Sequence, residues 1–208
     1  MKWLGSNLDA DSHSKAEKAR KGNLRGVDPA AVEGGKRERT LADRAFDLMD
    51  YLVNWRGWQP AAAAVAAGNA EQESSIRSDG PMGDPSVPGG SWGLFQWNRA
   101  RLERLKAKYG DNWQTDAAQY KYFADESEGK IPGGTAVPGW AQQRDLSRAG
   151  AISHAYEGYG DASTETRVNN ARKWLSAYRE RLGRAATPMS DMAKSGVNAS
   201  GRAAASAR

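Results

Sequence analysis

The chain contains no cysteine and only two histidines among its 208 residues. The absence of thiols excludes disulfide bonds, cysteine nucleophiles and cysteine-based zinc or iron–sulfur sites. The two histidines, His13 and His154, cannot supply the His-Glu-x-x-His spacing of a zinc enzyme. We therefore expect this protein to work without a metal ion or another cofactor.

Long apolar runs are absent as well. No stretch approaches the roughly 18 consecutive apolar residues that a membrane-spanning helix needs. The segment from Met1 to Asn7 lacks the apolar region of a signal peptide, which is about 7–15 residues long. We therefore expect neither a membrane span nor a secretory signal, so that a role outside a cytoplasm would need another route of delivery.

Large apolar side chains are scarce, because Leu, Ile, Val and Phe together account for 26 of 208 residues. So low a share is typical of disordered chains when the net charge is high, but here the net charge is only +5. The chain instead has 8 Trp, 7 Tyr and 35 Ala. This composition predicts helices that pack closely through small residues, with aromatic rings filling the spaces between them.

The basic excess lies at the two ends of the chain. Residues 1–45 carry ten Lys or Arg against seven Asp or Glu, and residues 183–208 carry four against one. Residues 1–39 are polar and lack apolar periodicity, so we predict an extended or disordered N-terminal arm. Residues 184–208 are mostly Ala, Ser, Gly and Arg, which is typical of a tail or linker. One domain is therefore expected over residues 40–183.

Within that domain the apolar residues follow a helical period. Thr40 and Asp43 form a capping box at the start of a first helix, and Gly57 is expected to end it. A second helix begins at Pro60 and continues through an Ala-rich stretch to about Glu73. Its surface of Ala and Gly predicts a central helix that its neighbours approach closely.

The rest of the domain alternates loops with helices. Residues 77–92 are rich in Pro and Gly and predict a loop or a short hairpin, and residues 129–139 predict another loop. Apolar spacing predicts four further helices, around Leu102 to Tyr109, Trp113 to Ala124, Leu146 to Tyr159, and Val168 to Leu182 after a Ser163 cap. No stretch shows the alternation of a convincing strand, so the predicted fold class is mainly α.

Glu73 is the residue with the clearest chemical potential. It ends the Ala-rich helix, where the helix dipole disfavours a carboxylate, and an aromatic wall such as Trp92 or Phe95 would desolvate it. Both effects would raise the pKa of such a carboxyl, as proton donation to a glycosidic oxygen requires. Glu71 lies about 200° away around the helix and is expected to face elsewhere. Considered alone, however, a glutamate at a helix end is more often a solvated surface residue.

The order of several short motifs resembles a known superfamily. Glu73-Ser74, a Gly/Pro-rich loop and Gly93-Leu94-Phe95-Gln96 are similar to the Glu-Ser and Gly-Leu-Met-Gln elements of soluble lytic transglycosylases and goose-type lysozymes. The phage tail lysozyme family is a closer match, because its domains also resemble Gly57-Trp58-Gln59-Pro60, Gly68-Asn69, Trp97, Arg101-Leu102 and Tyr156-Glu157. The resemblance spans about residues 41–183. It implies a lysozyme-like fold with the loop or a small hairpin beside the catalytic helix, flanked by extended termini.

The resemblance also implies roles for individual residues. Glu73 would be the catalytic acid/base, and Ser74 would support substrate or loop geometry. Gln96 would line the cleft behind the preceding turn, while Tyr156 and Glu157 would lie on the opposite wall, near one of the reacting sugars.

Two positions depart from the pattern of the family, and two aspartates are weighed separately. Ser75 stands where the family often has Gly, which bears on the turn after the catalytic helix. Tyr159 stands where the family commonly has Pro, which bears on the role of the Tyr-Glu element. Asp79 and Asp84, in the loop after that helix, could position a water molecule, but ordinary loop solvation is the better interpretation of each.

The tryptophans are expected to divide into two groups. The predicted core residues, which fall at apolar helical positions, are Trp58, Trp113 and Trp174. The predicted saccharide platforms, which flank the Gly-Leu-Phe-Gln turn or follow a Gly/Pro-rich loop, are Trp92, Trp97 and Trp140.

Together these features imply a peptidoglycan-degrading glycosidase, either a muramidase or a lytic transglycosylase. Glu73 would cleave the β-1,4 bond between N-acetylmuramic acid and N-acetylglucosamine, with the substrate's own N-acetyl group relieving the intermediate. The product would be either a hydrolysed end or a 1,6-anhydro end. The phage-like resemblance favours a virion component, present in several copies, that opens the cell wall locally during genome delivery. Residues 1–39 and 184–208 would then dock on neighbouring virion proteins.

Two other functions stay open. A lysozyme-like domain could recognise peptidoglycan without cutting it, as a structural or binding protein of the virion, and a zymogram separates this function from catalysis. The basic ends could contact nucleic acid. Their charge is dilute and is not interleaved with aromatic residues, so we rank nucleic-acid binding below the other two functions.

Overall fold

The computed structural model of the protein describes residues 39–80, 90–158 and 164–186. Within these ranges the chain is mainly helical and consistent with a lysozyme-like fold, as predicted. The predicted arm lies outside these ranges except for Arg39, which forms ion pairs with Asp47 and Asp116. The predicted tail likewise lies outside them, apart from the end of the last helix.

Six α-helices and one two-stranded hairpin occur in the described ranges. In chain order they are α1 (Leu41–Asp50), α2 (Pro60–Ser74), β1 (Ser91–Trp92), β2 (Trp97–Asn98), α3 (Arg99–Tyr109), α4 (Asp116–Ser127), α5 (Leu146–Glu157) and α6 (Thr164–Ala186). A π-helical turn, Tyr51–Trp55, continues α1, and a short 3₁₀ turn, Gly110–Asn112, follows α3. In the antiparallel hairpin Ser91 pairs with Asn98, and Trp92 pairs with Trp97.

The first helix begins at the predicted capping box. The Asp43 amide donates to the Thr40 hydroxyl at 3.1 Å, and the Thr40 amide donates to the Asp43 carboxylate at 2.9 Å. These two bonds satisfy amides that have no partner within the helix. After the π-helical turn, Gly57 adopts a positive φ of 75° and reverses the chain toward α2.

Helix α2 is the buried centre of the domain. Residues 61–70 are all buried, and Pro60 occupies the first turn, where its missing N–H leaves no bond unmade. A Cβ added to Gly68 would lie 2.7 Å from the carbonyl oxygen of Arg167 and 2.8 Å from the amide nitrogen of Ala171. Only glycine allows this approach, so the predicted close packing of α2 is confirmed. We call this contact, centred on Gly68, Arg167 and Ala171, the α2–α6 interface.

A second densely packed region of the domain is built from large aromatic rings. We call them the aromatic core, and each of its members is at most 2% exposed: Trp58, Phe95, Trp97, Phe123, Trp140 and Tyr156. Phe95 stacks on Phe123 with their centroids 4.0 Å apart. The core joins the hairpin to α4 and α5 through side chains rather than through backbone pairing.

Two tryptophans meet the prediction of core burial, since Trp58 is 2% and Trp174 is 5% exposed. Trp113 is only half-buried and precedes α4, which begins later than predicted because Thr115 caps it by accepting from the Ala118 amide. The predicted Ser163 cap lies outside the described residues. Among the helices that the structure describes, none combines the length and apolar character needed to cross a membrane.

Candidate active site at the end of helix α2

Glu73 lies one residue before the end of α2, where the sequence places it. Its side chain is 22% exposed, and its carboxylate forms an ion pair with the guanidinium of Arg167, which is only 5% exposed. The contact that the structure shows for Glu73 is thus a charge-assisted bond to arginine. The two rings that were expected to form an aromatic wall pack on other rings, Trp92 on Trp113 and Phe95 on Phe123.

Glu71 makes a separate set of contacts with α6. One carboxylate oxygen lies 2.6 Å from the ammonium of Lys173, and the other accepts from the indole N–H of Trp174 at 2.7 Å. Glu71 and Glu73 thus bind different partners, as their angular separation on the helix predicts. Sequence reasoning missed Arg167, because nothing in its surroundings marks one arginine of α6 as buried.

The turn after Glu73 has a glycine-like backbone. Ser75 and Ile76 both adopt left-handed conformations, with φ of 54° and 56°. Their amides bond back to the carbonyls of Glu71, at 2.9 Å, and Ala70, at 3.1 Å. The position where the resemblance implies Gly therefore takes a conformation that favours Gly, with Ser in its place.

Ser74 connects the end of α2 to the hairpin. Its hydroxyl lies 3.0 Å from the carbonyl oxygen of Leu94 and 3.1 Å from that of Ala70, and it accepts from the Arg77 amide at 3.0 Å. The side chain is 1% exposed. Of the two roles that the resemblance implies, its contacts fit the support of loop geometry.

Gln119 in α4 is a second residue that sequence reasoning missed. It is 0% exposed, its side-chain oxygen accepts from the Leu94 amide at 3.0 Å, and its side-chain nitrogen donates to the Ser78 carbonyl at 2.9 Å. A Cβ at Gly93 would lie 2.3 Å from that side-chain oxygen. Gln119 therefore fixes the hairpin turn against the segment that follows α2.

Gln96 closes the same turn. Its backbone φ is 47°, and its side-chain amide donates to the Gly93 carbonyl at 3.0 Å. Its side-chain oxygen is buried and has no hydrogen-bond partner among the described residues. The turn that carries Gln96 is thus held near Glu73 through the bond between Ser74 and Leu94.

A comparison with family profiles matches this arrangement. The profile described as phage tail lysozyme covers residues 43–178, which include α2, the hairpin and Arg167. The chain belongs to the phage tail lysozyme family. It therefore contains a lysozyme-like, peptidoglycan-acting domain. Comparisons with curated proteins and with solved structures find no match.

In this phage tail lysozyme domain, the three tryptophans predicted as sugar platforms do not form one surface. Trp97 is 0% and Trp140 is 1% exposed, so both rings belong to the aromatic core and present almost no surface to a saccharide. The physical reason is that a domain poor in Leu and Ile uses its rings as packing material. Trp92 is half-buried and packs edge-on against Trp113, with centroids 5.4 Å apart.

Tyr156 belongs to a buried polar network rather than to an open wall. Its hydroxyl donates to the Glu126 carboxylate at 2.6 Å and accepts from the Trp97 indole at 3.0 Å. Arg101 binds the same carboxylate with two nitrogens, at 3.2 and 2.8 Å. Glu126 is 0% exposed and was not predicted, because its partners come from elements that are distant in sequence. Glu157 is the last residue of α5, and its side chain lies outside the described part.

Of the two loop aspartates, the structure describes only Asp79. Asp79 forms two bonds with the Arg77 guanidinium, at 3.0 and 3.1 Å, and these bonds hold the pKa of Asp79 below its usual value. Asp84 and Tyr159 lie outside the described residues.

A cavity of about 300 Å³ lies at the other end of α2. Trp58, Glu128 and Trp140 contribute to its lining. Because an α-helix rises about 1.5 Å per residue, this end of α2 is about 20 Å from Glu73. The cavity is therefore separate from the candidate active site.

Proposed function

We propose that the domain cleaves the β-1,4 bond between N-acetylmuramic acid and N-acetylglucosamine, with Glu73 as general acid and general base. The observation that carries this proposal is the partly exposed carboxylate of Glu73 at the end of α2, beside a hairpin turn held by Ser74, within a phage tail lysozyme domain. A rigid helix end can present one carboxyl group to a polymer that runs across it.

The proposed reaction begins with protonated Glu73. The carboxyl O–H bond breaks as the proton moves to the glycosidic oxygen, and the bond from that oxygen to the sugar carbon breaks with it. The substrate's own N-acetyl oxygen relieves the positive charge on the carbon. Glu71 is engaged by Lys173 and Trp174, and Asp79 is engaged by Arg77, so neither is placed as a free nucleophile.

In the second half of the reaction, ionised Glu73 removes a proton from the acceptor hydroxyl, whose oxygen bonds to the sugar carbon and displaces the N-acetyl oxygen from it. If the acceptor is water, the product is a reducing end. If it is the C6 hydroxyl of the same sugar, the product is a 1,6-anhydro end. Mass spectrometry of the fragments separates a lysozyme from a lytic transglycosylase, because the two products differ by one water.

The test of this function compares Glu73→Gln with Glu71→Gln on purified peptidoglycan. Both variants replace a carboxylate of α2 that is paired with a cation of α6, so their packing effects are matched. We expect Glu73→Gln to lose about 10³-fold in rate, because acid–base catalysis contributes roughly 10²–10⁴-fold, and Glu71→Gln to stay near the wild-type rate. Loss in Glu71→Gln with retention in Glu73→Gln would transfer the proposed role to Glu71.

The ion pair between Glu73 and Arg167 favours a second candidate function. Because the Glu73 carboxylate already engages a guanidinium, the domain could bind peptidoglycan without cutting it. A zymogram and a sedimentation assay with murein sacculi separate the two functions. Clearing supports the glycosidase, whereas co-sedimentation without clearing supports the binding protein.

The proposed setting is a virion whose protein opens the cell wall locally during genome delivery. The support for it is the family match to phage tail lysozyme. In this setting residues 1–39 and 184–208 are proposed to dock on neighbouring virion proteins, with weak nucleic-acid contact through their basic charge as a subsidiary role. Detection of the protein in purified particles, and its loss from them when either segment is deleted, tests the docking role.

A further inference from the structure

Arg167 reaches the end of α2 from the first turns of α6. Its guanidinium pairs with Glu73, and a second of its nitrogens donates to the carbonyl of Asn69 at 3.4 Å, one turn earlier in α2. Its own backbone carbonyl forms part of the close contact with Gly68. The backbone of Arg167 is therefore fixed by helix packing, and the side chain, only 5% exposed, has little freedom to leave Glu73 for solvent.

An arginine in this position acts differently on the two forms of Glu73. A protonated carboxyl group is neutral and gains little from a nearby guanidinium, whereas a carboxylate gains an ion pair. The carboxylate is formed as the proton leaves for the glycosidic oxygen. An interaction that strengthens along the reaction lowers the barrier, while one that is equal throughout does not.

We propose that Arg167 is a positioning residue that stabilises the negative charge which Glu73 gains when it gives up its proton. This inference rests on the proposed function of Glu73. Arg167 keeps all of its own protons, because a guanidinium does not deprotonate in proteins. It then holds the carboxylate in place until Glu73 takes a proton from the acceptor hydroxyl in the second half of the reaction.

The same α2–α6 interface provides a matched control. Lys173 pairs with Glu71 between the same two helices, but it is 48% exposed and does not touch Glu73 in the described contacts. Removing Lys173 therefore also deletes an ion pair of α2 with α6, without removing the cation from the proposed acid. A purely structural role of such ion pairs predicts similar behaviour of both variants.

Other charged groups lie on the elements packed around this end of α2. Arg44 of α1 donates to the Ser75 carbonyl at 3.3 Å, Arg77 pairs with Asp79, and α5 carries His154. All of them are unchanged in the variants proposed below. A difference in kcat between the Arg167 and Lys173 variants therefore isolates the guanidinium of Arg167.

The experiment measures the initial rate of clearing against the concentration of purified peptidoglycan, which separates kcat from KM, for the full chain and for Arg167→Gln, Arg167→Lys and Lys173→Met. We expect Arg167→Gln to lower kcat about 10²-fold, as the loss of one preorganised donor does. We expect its KM to stay near the wild-type value, because Arg167 acts through Glu73 rather than on the glycan. Arg167→Lys keeps the charge and should recover part of kcat, and Lys173→Met should match the wild type in both kcat and KM.

An unchanged kcat in Arg167→Gln overturns the inference, as does a loss of equal size in Lys173→Met. Thermal unfolding identifies variants that fail to fold. Arg167→Met, a neutral apolar replacement, supplies the charge-free rate if Arg167→Gln is one of them. If the wild type does not clear peptidoglycan, the proposed function fails and the inference fails with it. If the wild type is active and Glu73→Gln is not, an unchanged kcat in Arg167→Gln rejects only the inference.

Discussion

The aromatic core and the α2–α6 interface achieve dense packing by opposite means. In the core, the ring of Phe123 packs against four other rings, with centroids 4.0 to 5.6 Å apart: Trp58, Phe95, Trp140 and Tyr156. At the interface a glycine lets one helix backbone touch another. The core thus fills volume with large side chains, whereas the interface removes volume by omitting them.

This difference explains where the chemical groups lie. Rings that fill the core are almost wholly buried, so Trp97 and Trp140 present almost no surface to a substrate. At the interface the backbones are too close for large side chains, and the longer residues Glu71 and Glu73 extend to its edges, where they meet cations of α6. The site that we propose therefore depends on the tight interface rather than on the tryptophans.

The largest expected effect comes from breaking the core. Replacing a fully buried phenylalanine by alanine costs about 3–5 kcal/mol, and Phe123 is 0% exposed with four ring neighbours. We expect Phe123→Ala to lower the free energy of unfolding by about 4 kcal/mol, measured by urea denaturation. Trp55→Ala is the control, because Trp55 is 61% exposed and should change stability by less than about 0.5 kcal/mol. Equal effects of the two variants would contradict the role given to the core.

A smaller effect is expected from adding one methyl group to the interface. A Cβ at Gly68 meets backbone atoms of α6 at 2.7 and 2.8 Å, which cannot move aside as a side chain would. We expect Gly68→Ala to cost about 2 kcal/mol, typical of overpacking, although alanine is the better helix former. This variant should also lower lytic activity, because separation of the helices withdraws Arg167 from Glu73.

Gly183→Ala is the matched control for that change. Gly183 lies in α6, and a Cβ there meets no atom of the described residues within 4 Å. We expect this variant to gain up to about 1 kcal/mol from helix propensity. A destabilised Gly183→Ala, or a neutral Gly68→Ala, would show that the spacing of α2 and α6 does not depend on Gly68.

Much of the fold follows from local sequence signals. The Thr40 capping box, Pro60 at the start of α2 and the loop over residues 129–139 were predicted, because each depends on neighbours in the chain. The close approach at Gly68 was predicted as well, since a run of small residues in a helix has few other uses. The π-helical turn before Gly57 was missed, because its apolar spacing continues that of α1.

The site was predictable only in part. Glu73 and Ser74 were singled out by motif order, and the structure bonds Ser74 to the hairpin turn and pairs Glu73 with Arg167. Arg167, Gln119 and Glu126 were missed, because their partners come from remote parts of the chain. The division of the tryptophans was incorrect for Trp97 and Trp140. A Gly-rich flank indicates a turn, but it does not show whether the neighbouring ring is buried.

The smallest expected effect concerns the turn at the end of the α2–α6 interface. Ser75 holds a left-handed conformation with φ of 54°, which costs a residue with a Cβ about 1 kcal/mol that glycine does not incur. Because glycine also raises the entropy of the unfolded chain, we expect Ser75→Gly to gain about 0.5 kcal/mol, or about 1–2 °C in Tm. Ser74→Gly is the matched control, since it removes the bond to Leu94 from a helical position and should destabilise the domain by about 1–2 kcal/mol. If Ser75→Gly stabilises the fold but slows lysis, the strained turn itself positions Glu73; if lysis is unchanged, the α2–α6 interface and Arg167 are sufficient to do so.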